Sequence, residues 1–137
     1  MKFLSDFNNL FLIAVALVSG SMLLWPMLTR RAAGPSLGTL QATQLMNHKN
    51  AVLLDVREAE EFARGHVAQA KNIPFAGLAG RFGELGTNKS KPVIVVCERG
   101  SRSGKAAAQL RAQGFAEVYT LAGGMQAWQQ AGLPVKK

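Results

Sequence analysis

"PVIVVCERGSRSGKAAAQLRAQG", Pro92 to Gly114, holds the pattern from which the architecture can be read. Its first third is a run of branched apolar residues with no polar alternation. That pattern predicts a short strand buried on both faces. A stretch rich in Gly, Ser and Arg follows. Then comes a helix-forming segment, Ser101 to Gln113, stopped by Gly114. The unit is strand, loop, helix, and the only cysteine of the chain, Cys97, stands where strand gives way to loop.

The same alternation recurs on either side of this unit. "LQATQLMN", Leu40 to Asn47, has apolar residues at helical spacing, and "AVLLDV", Ala51 to Val56, is a short apolar run that predicts a second buried strand. "REAEEFARG" supplies one or two helical turns ending at Gly65, and "KNIP" is a brief strand closed by Pro74. "FAGLAGRFGEL", Phe75 to Leu85, predicts a helix weakened by its glycines. "FAEVYTL" is a further strand, and "GGMQAWQQAG" a last helix. Continuous apolar strands alternating with helices define an α/β class, with a parallel sheet covered by helices on both faces. In such sheets ligands bind beyond the carboxyl ends of the strands, where Cys97 falls.

The chain has 137 residues, enough for one modest core. Its formal net charge is +8. Residues 1–31 contribute +2 through Lys2, Arg30 and Arg31 against Asp6, and the rest contributes +6. Such a balance suits anionic lipid or small anions. The basic residues are dispersed and not interleaved with aromatics, which argues against nucleic acid as a partner. One cysteine excludes a disulfide-stapled scaffold. One cysteine and two separated histidines offer no metal site, and nothing in the sequence calls for a cofactor.

Near the N-terminus, "LFLIAVALVSGSMLLWPML", Leu10 to Leu28, carries no charge. As a helix it would be about 28 Å long, which matches a hydrocarbon core. Trp25 falls near one end, where an indole prefers the interface, and "TRR" follows directly. A cleaved signal peptide is the rival, since Val18-Ser19-Gly20 resembles a cleavage site. The apolar run continues well past it, however, and a signal core is typically about 7–15 residues. The expected organisation is a tail over 1–9, a transmembrane helix over 10–28, a linker over 29–38 and a folded domain over 39–137. The positive charges predict a single pass through the inner (plasma) membrane with the domain facing the cytoplasm. A reducing compartment also suits a lone working thiol.

The loop after the cysteine reads as an anion nest. A cysteine attacks as its thiolate, a form favoured by helix N-termini and neighbouring arginines. The following helix aims its unpaired N–H groups back at the loop. Arg99 and Arg102 add positive charge, Gly100 and Gly104 permit tight curvature, and Ser101 and Ser103 are candidate caps. The concavity suits a thiolate, a persulfide or an oxyanion held beside the sulfur. The plain alternative is a buried strand-end cysteine followed by a capped helix.

"CERGSRS" resembles the active-site loop of the rhodanese family. "LLDVREAEEFARGHVAQAKNIP", Leu53 to Pro74, is similar to that family's N-terminal signature, and "VYTLAGGMQAW", Val118 to Trp128, to its closing motif. The three come in family order and cover nearly all of residues 38–134. The resemblance implies a rhodanese-like parallel sheet and sulfur transfer. Cys97 would become a persulfide on reaction with a small sulfur-donor anion, and a thiol, a sulfur carrier or cyanide would accept the sulfur. Glu98, Arg99, Gly100, Ser101, Arg102 and Ser103 would form the substrate cradle, with Arg102 holding the anionic donor. Glu98 is expected to point to solvent and to disfavour dianionic donors. Asp55 is expected to tie down neighbouring loops, Arg57 to pair with Glu60 or Glu61, His66 to be a buried, hydrogen-bonded residue, and Phe115 and Trp128 to be core. Departures from the pattern are Gln69 in place of a glycine and the lack of a proline opening the first helix. Two rivals stand beside this reading. One is a membrane-tethered docking module without turnover. The other is a cysteine phosphatase or arsenate reductase, disfavoured because arginine is fifth after Cys97, not sixth, and Val96 precedes the cysteine in place of histidine.

Overall fold

The computed structural model describes residues 6–137, with the side chains of residues 29–33 and of Ser101 outside the described set. Lys2, Arg30 and Arg31 as charge determinants, and Ser101 as a cap, therefore fall outside the described residues or side chains. The chain divides into two units, Met1–Ala32 and Ala33–Lys137.

The first unit is a helix, α1 (Phe7–Ala33). Its segment Phe7–Leu28 has a mean hydropathy of 2.1 and none of it is buried, so it is long and apolar enough to cross a membrane. Pro26 lies within the helix. Serines in the span stay satisfied on their own helix: Ser19 Oγ donates to the Val15 carbonyl at 2.9 Å and Ser21 Oγ to that of Val18 at 2.8 Å.

The second unit is built on a five-stranded sheet in the order β1-β5-β4-β2-β3, every pairing parallel. The strands are β1 (Ser36–Leu37), β2 (Val52–Asp55), β3 (Lys71–Asn72), β4 (Val93–Val96) and β5 (Val118–Leu121). The helices are α2 (Thr39–Lys49), α3 (Ala59–Arg64), α4 (Ser101–Ala112) and α5 (Gly124–Gln130). The central strands are buried on both faces because alternate side chains point opposite ways into apolar surroundings. Leu54, Val93 and Val95 pack with Ala106, Ala107 and Leu110 of α4. Leu53, Ile94 and Val96 pack on the other face with Ala42 of α2 and with Met125 and Trp128 of α5. Helices thus cover both faces, as the sequence predicts. Phe115 and Trp128 are core, and the Trp128 indole N–H donates to the Pro134 carbonyl at 3.0 Å.

Two local expectations are revised. Within the stretch expected to be a linker, Ser36 and Leu37 form the edge strand β1 against Thr120 and Leu121. Phe75–Leu85 is not one weak helix but two 3-10 segments, Phe75–Gly80 and Phe82–Leu85, separated at Arg81. Three glycines in eleven residues make a regular α-helix costly there.

Strand order fixes where a site can form. From β2 the chain moves outward to β3, then returns to place β4 on β2's other side. The connections leaving β2 and β4 therefore diverge, opening a crevice at their carboxyl ends. Asp55 pairs with Val96 across this edge, which brings "DVRE" and "CERGSRS" side by side.

Candidate active site

Cys97 follows β4 directly and is 1% exposed. Three residues on, the chain turns at Gly100, whose φ of +106° glycine adopts without strain and which serves as the N-cap of α4. This turn aims the Gly100 N–H at Cys97 Sγ, 2.8 Å away. Twelve-residue α4 begins at the next position, so the positive end of its dipole adjoins the sulfur. Among the described side chains none caps α4, whose N-cap is Gly100. Ser103, expected as a candidate cap, is buried and donates its hydroxyl to the Gly100 carbonyl at 2.9 Å, which braces the turn. Arg99 is exposed on the loop and Gly104 lies in the first turns of α4.

The loop is held from behind by α5. Met125 N donates to the Cys97 carbonyl at 2.8 Å and Gln126 N to the Glu98 carbonyl at 3.2 Å. This approach requires glycine at position 124. A Cβ there would stand 2.2 Å from the Cys97 carbonyl oxygen and 2.7 Å from that of Glu98. The closing Gly-Gly of the sequence is therefore the seat of the cysteine loop.

Charge around the loop is paired in two sets. Arg102 meets Glu61 of α3 in a two-pronged ion pair, Nη1 to Oε1 at 3.0 Å and Nη2 to Oε2 at 3.2 Å. The hydrogen bond from Arg102 is the largest influence on Glu61, and it holds that carboxyl below its ordinary range. The Glu61 hydrogen bond likewise raises the Arg102 pKa, and negative charge at Cys97 acts in the same direction. Arg102 is thus beside the cysteine, as the sequence predicts, but it already carries a carboxylate.

Arg57 forms the second set, and here the sequence reading is corrected. It pairs with neither Glu60 nor Glu61. Its buried guanidinium grips Asp55 through Nε at 3.0 Å and Nη2 at 2.8 Å, and reaches the Gly65 carbonyl at 2.8 Å. Its Nη1 donates to Glu98 Oε2 at 3.2 Å. Burial opposes the charged guanidinium, but Asp55 and then Glu98 more than offset it, so its pKa stays raised. Glu98, expected to face solvent, is instead half-buried and tied to Arg57. Asp55 does tie down its neighbours: its side chain also accepts from Arg57 N at 3.0 Å. Asn72 Nδ2 bridges the carbonyls of Asp55 and Arg57. His66 is partly buried, stacked on Phe62 at 3.7 Å with its Nδ1 2.8 Å from the Phe62 carbonyl.

Beside the loop lies a cleft of about 380 Å³ lined by Arg57, Glu61, Arg64, Gly65, Glu98 and Gln129. No cluster of groups able to hold a metal occurs among the described residues. Sequence reasoning missed Glu61 and Gly124 as parts of the site. The signal for Gly124 was present, since a glycine pair immediately ahead of a helix marks a close backbone approach.

A doubly covered parallel sheet, with one cysteine in a strand-to-helix anion nest at its carboxyl edge, defines a class of thiol-bearing α/β domains. Within that class the chain belongs to the rhodanese-like domain family, whose model matches residues 39–131. It is 44% identical over 81 residues to the uncharacterized protein YqhL of Bacillus subtilis, a match covering 59% of this chain and 63% of that protein. It is 39% identical over 88 residues to the thiosulfate sulfurtransferase GlpE of Pseudomonas putida, covering 64% of this chain and 78% of that one. Among solved structures, a rhodanese-related protein from Thermoplasma volcanium superposes with a TM-score of 0.65 at 30% identity, covering 74% of this chain and 97% of the other.

Proposed function

We propose that this protein is a sulfurtransferase in which Cys97 carries sulfane sulfur as a persulfide. The observation that carries the reading is the Gly100 N–H directed at Cys97 Sγ from the mouth of α4. A donor amide and a helix N-terminus stabilise negative charge on sulfur, and negative sulfur occurs both before and after loading. Kinship with thiosulfate sulfurtransferases supports the same chemistry.

The reaction divides into two displacements on sulfur. In the first, the Cys97 thiolate attacks the outer sulfur of thiosulfate. The new S–S bond forms as the old one breaks, and sulfite leaves with the bonding electron pair. The product is a Cys97 persulfide anion, its terminal charge facing the amides of Glu98 to Ser103. In the second, a thiolate or cyanide attacks the terminal sulfur and departs as a persulfide or thiocyanate, regenerating the Cys97 thiolate. Burial of Cys97 shields the loaded sulfur from water and from stray thiols. Arg102 orients the anionic donor through the guanidinium N–H groups that the Glu61 pair does not use.

The domain operates beside a membrane, with α1 as a single-pass anchor and the catalytic unit on the cytoplasmic face. The support is the uncharged Phe7–Leu28 segment and the arginines at positions 30 and 31 that follow it.

Thiosulfate:cyanide sulfur transfer by the full chain in detergent micelles tests the reading. The wild type is expected to form thiocyanate and Cys97→Ser to form none. Equal activity in both would remove Cys97 from the chemistry, and inactivity of both would make the domain a docking module.

A further inference from the structure

The cleft beside the cysteine loop is balanced in charge, and that balance carries information about the acceptor. Its lining holds two guanidiniums, Arg57 and Arg64, and two carboxylates, Glu61 and Glu98. Behind them, Arg57 is already neutralised by Asp55, and Glu61 by Arg102. A small dianion entering this cleft meets carboxylates paired to the very arginines that would attract it. A ligand bearing both signs meets partners for each.

Building on the sulfur-transfer reading, we propose that this cleft binds the zwitterionic head of an amino-acid thiol. The acceptor's α-ammonium lies between Glu61 and Glu98, and its α-carboxylate on Arg64. Each carboxylate offers about four lone-pair positions, so one bond from Arg57 leaves Glu98 ample acceptor capacity, while two bonds from Arg102 and one from Glu58 N leave Glu61 about one position, which makes Glu98 the main ammonium partner. The Gln129 amide adds a neutral donor and acceptor to the lining. Arg64 is exposed, at the end of α3, where its fork can close on a carboxylate. The cleft's volume of about 380 Å³ falls within the roughly 300–1,000 Å³ of small-molecule sites. Glu98 lines the cleft and is covalently next to Cys97, so a head group held here lies beside the cysteine loop. Its thiolate then takes the terminal sulfur from the Cys97 persulfide, forming an amino-acid persulfide and returning the electron pair to Cys97.

Binding is testable without turnover. Full-length Cys97→Ser in detergent micelles is titrated with S-methyl-L-cysteine, a zwitterionic thioether that cannot accept sulfur. The comparison probe is methylthio-propanoate, which lacks the ammonium. Amide NMR signals report the site and the affinity. S-methyl-L-cysteine is expected to shift the signals of Gly65, Glu98 and Gln129, and methylthio-propanoate to bind about tenfold more weakly, the loss of one charge-assisted contact. In Glu98→Gln, which keeps an oxygen for Arg57, the gap between probes is expected to narrow. Equal affinity of the two probes, or shifts confined to other surfaces, would overturn the proposal. A protein that transfers sulfur yet ignores the ammonium refutes the cleft assignment alone. A protein that binds the zwitterion yet never loads sulfur refutes only the sulfur-transfer reading.

Discussion

Replacing Gly124 with alanine tests how the cysteine loop is seated. The added Cβ would lie 2.2 Å from the Cys97 carbonyl oxygen, 2.7 Å from the Glu98 carbonyl oxygen and 2.8 Å from the Glu98 carbonyl carbon. All three are backbone atoms, so no side chain can swing away. The residue also sits at φ +58°, a left-handed conformation costing a Cβ-bearing residue about 1–2 kcal/mol. Forcing a methyl group into packed surroundings costs about 1–3 kcal/mol more. Separation of α5 from the loop also weakens the bonds from Met125 and Gln126 to Cys97 and Glu98, each of net worth roughly 0.5–1.5 kcal/mol. The expected loss is about 3–5 kcal/mol, a large share of the 5–15 kcal/mol typical of a domain. Movement of the Cys97 carbonyl carries Sγ with it, and a displacement near 1 Å can lower turnover by about a hundredfold. Urea unfolding and sulfur-transfer rates of the full chain measure both. Gly80→Ala is the control, because a Cβ there meets nothing within 4 Å, and its effect should stay within about 0.5 kcal/mol. A Gly124→Ala protein with the wild-type midpoint and turnover would refute the claim that α5 fixes the loop.

Three further outcomes are expected. Arg57→Ala leaves the buried Asp55 carboxylate without its cation and should destabilise the fold by about 3–5 kcal/mol in urea titrations; a cost near zero would show the network to be dispensable. Because Glu61 titrates below its ordinary range when folded, its pair with Arg102 stabilises fully above the unfolded carboxylate pKa of about 4.3 and is lost as pH falls through the lowered folded value. The stability difference between wild type and Glu61→Gln should therefore be constant near neutrality, at most about 1 kcal/mol, and shrink in acid; a difference that persists through acid would contradict the pairing. Trp128→Phe removes the indole donor to the Pro134 carbonyl while keeping an aromatic core. It should cost about 1–3 kcal/mol in the same assay, and an unchanged midpoint would show that this bond does not anchor the C-terminal segment.

The layered sheet and the place of Cys97 were legible because they depend on local pattern. Runs such as Val93–Val96 admit a doubly buried strand, and glycines and serines after them admit a turn into a helix. Charge pairing was legible only where it is local. From sequence, Arg57 has Glu60 and Glu61 within helical reach. The fold instead turns its guanidinium inward, to Asp55 behind it and to Glu98, 41 positions away. Glu61 is thereby left to Arg102, also 41 positions distant. Strand β1 escaped notice because two residues carry no periodicity; pairing with β5 alone defines it. The role of Gly124 required the third dimension, since the atoms it must clear belong to Cys97 and Glu98.

On the proposed mechanism, sulfur resides covalently on Cys97 during turnover. Mass spectrometry of the Cys97 peptide, after incubation of the full chain with thiosulfate, reads this out. One added sulfur atom is expected on that peptide, lost on addition of cyanide with an equivalent yield of thiocyanate. An unmodified peptide, from protein whose Cys97 still reacts with an alkylating agent, would contradict it.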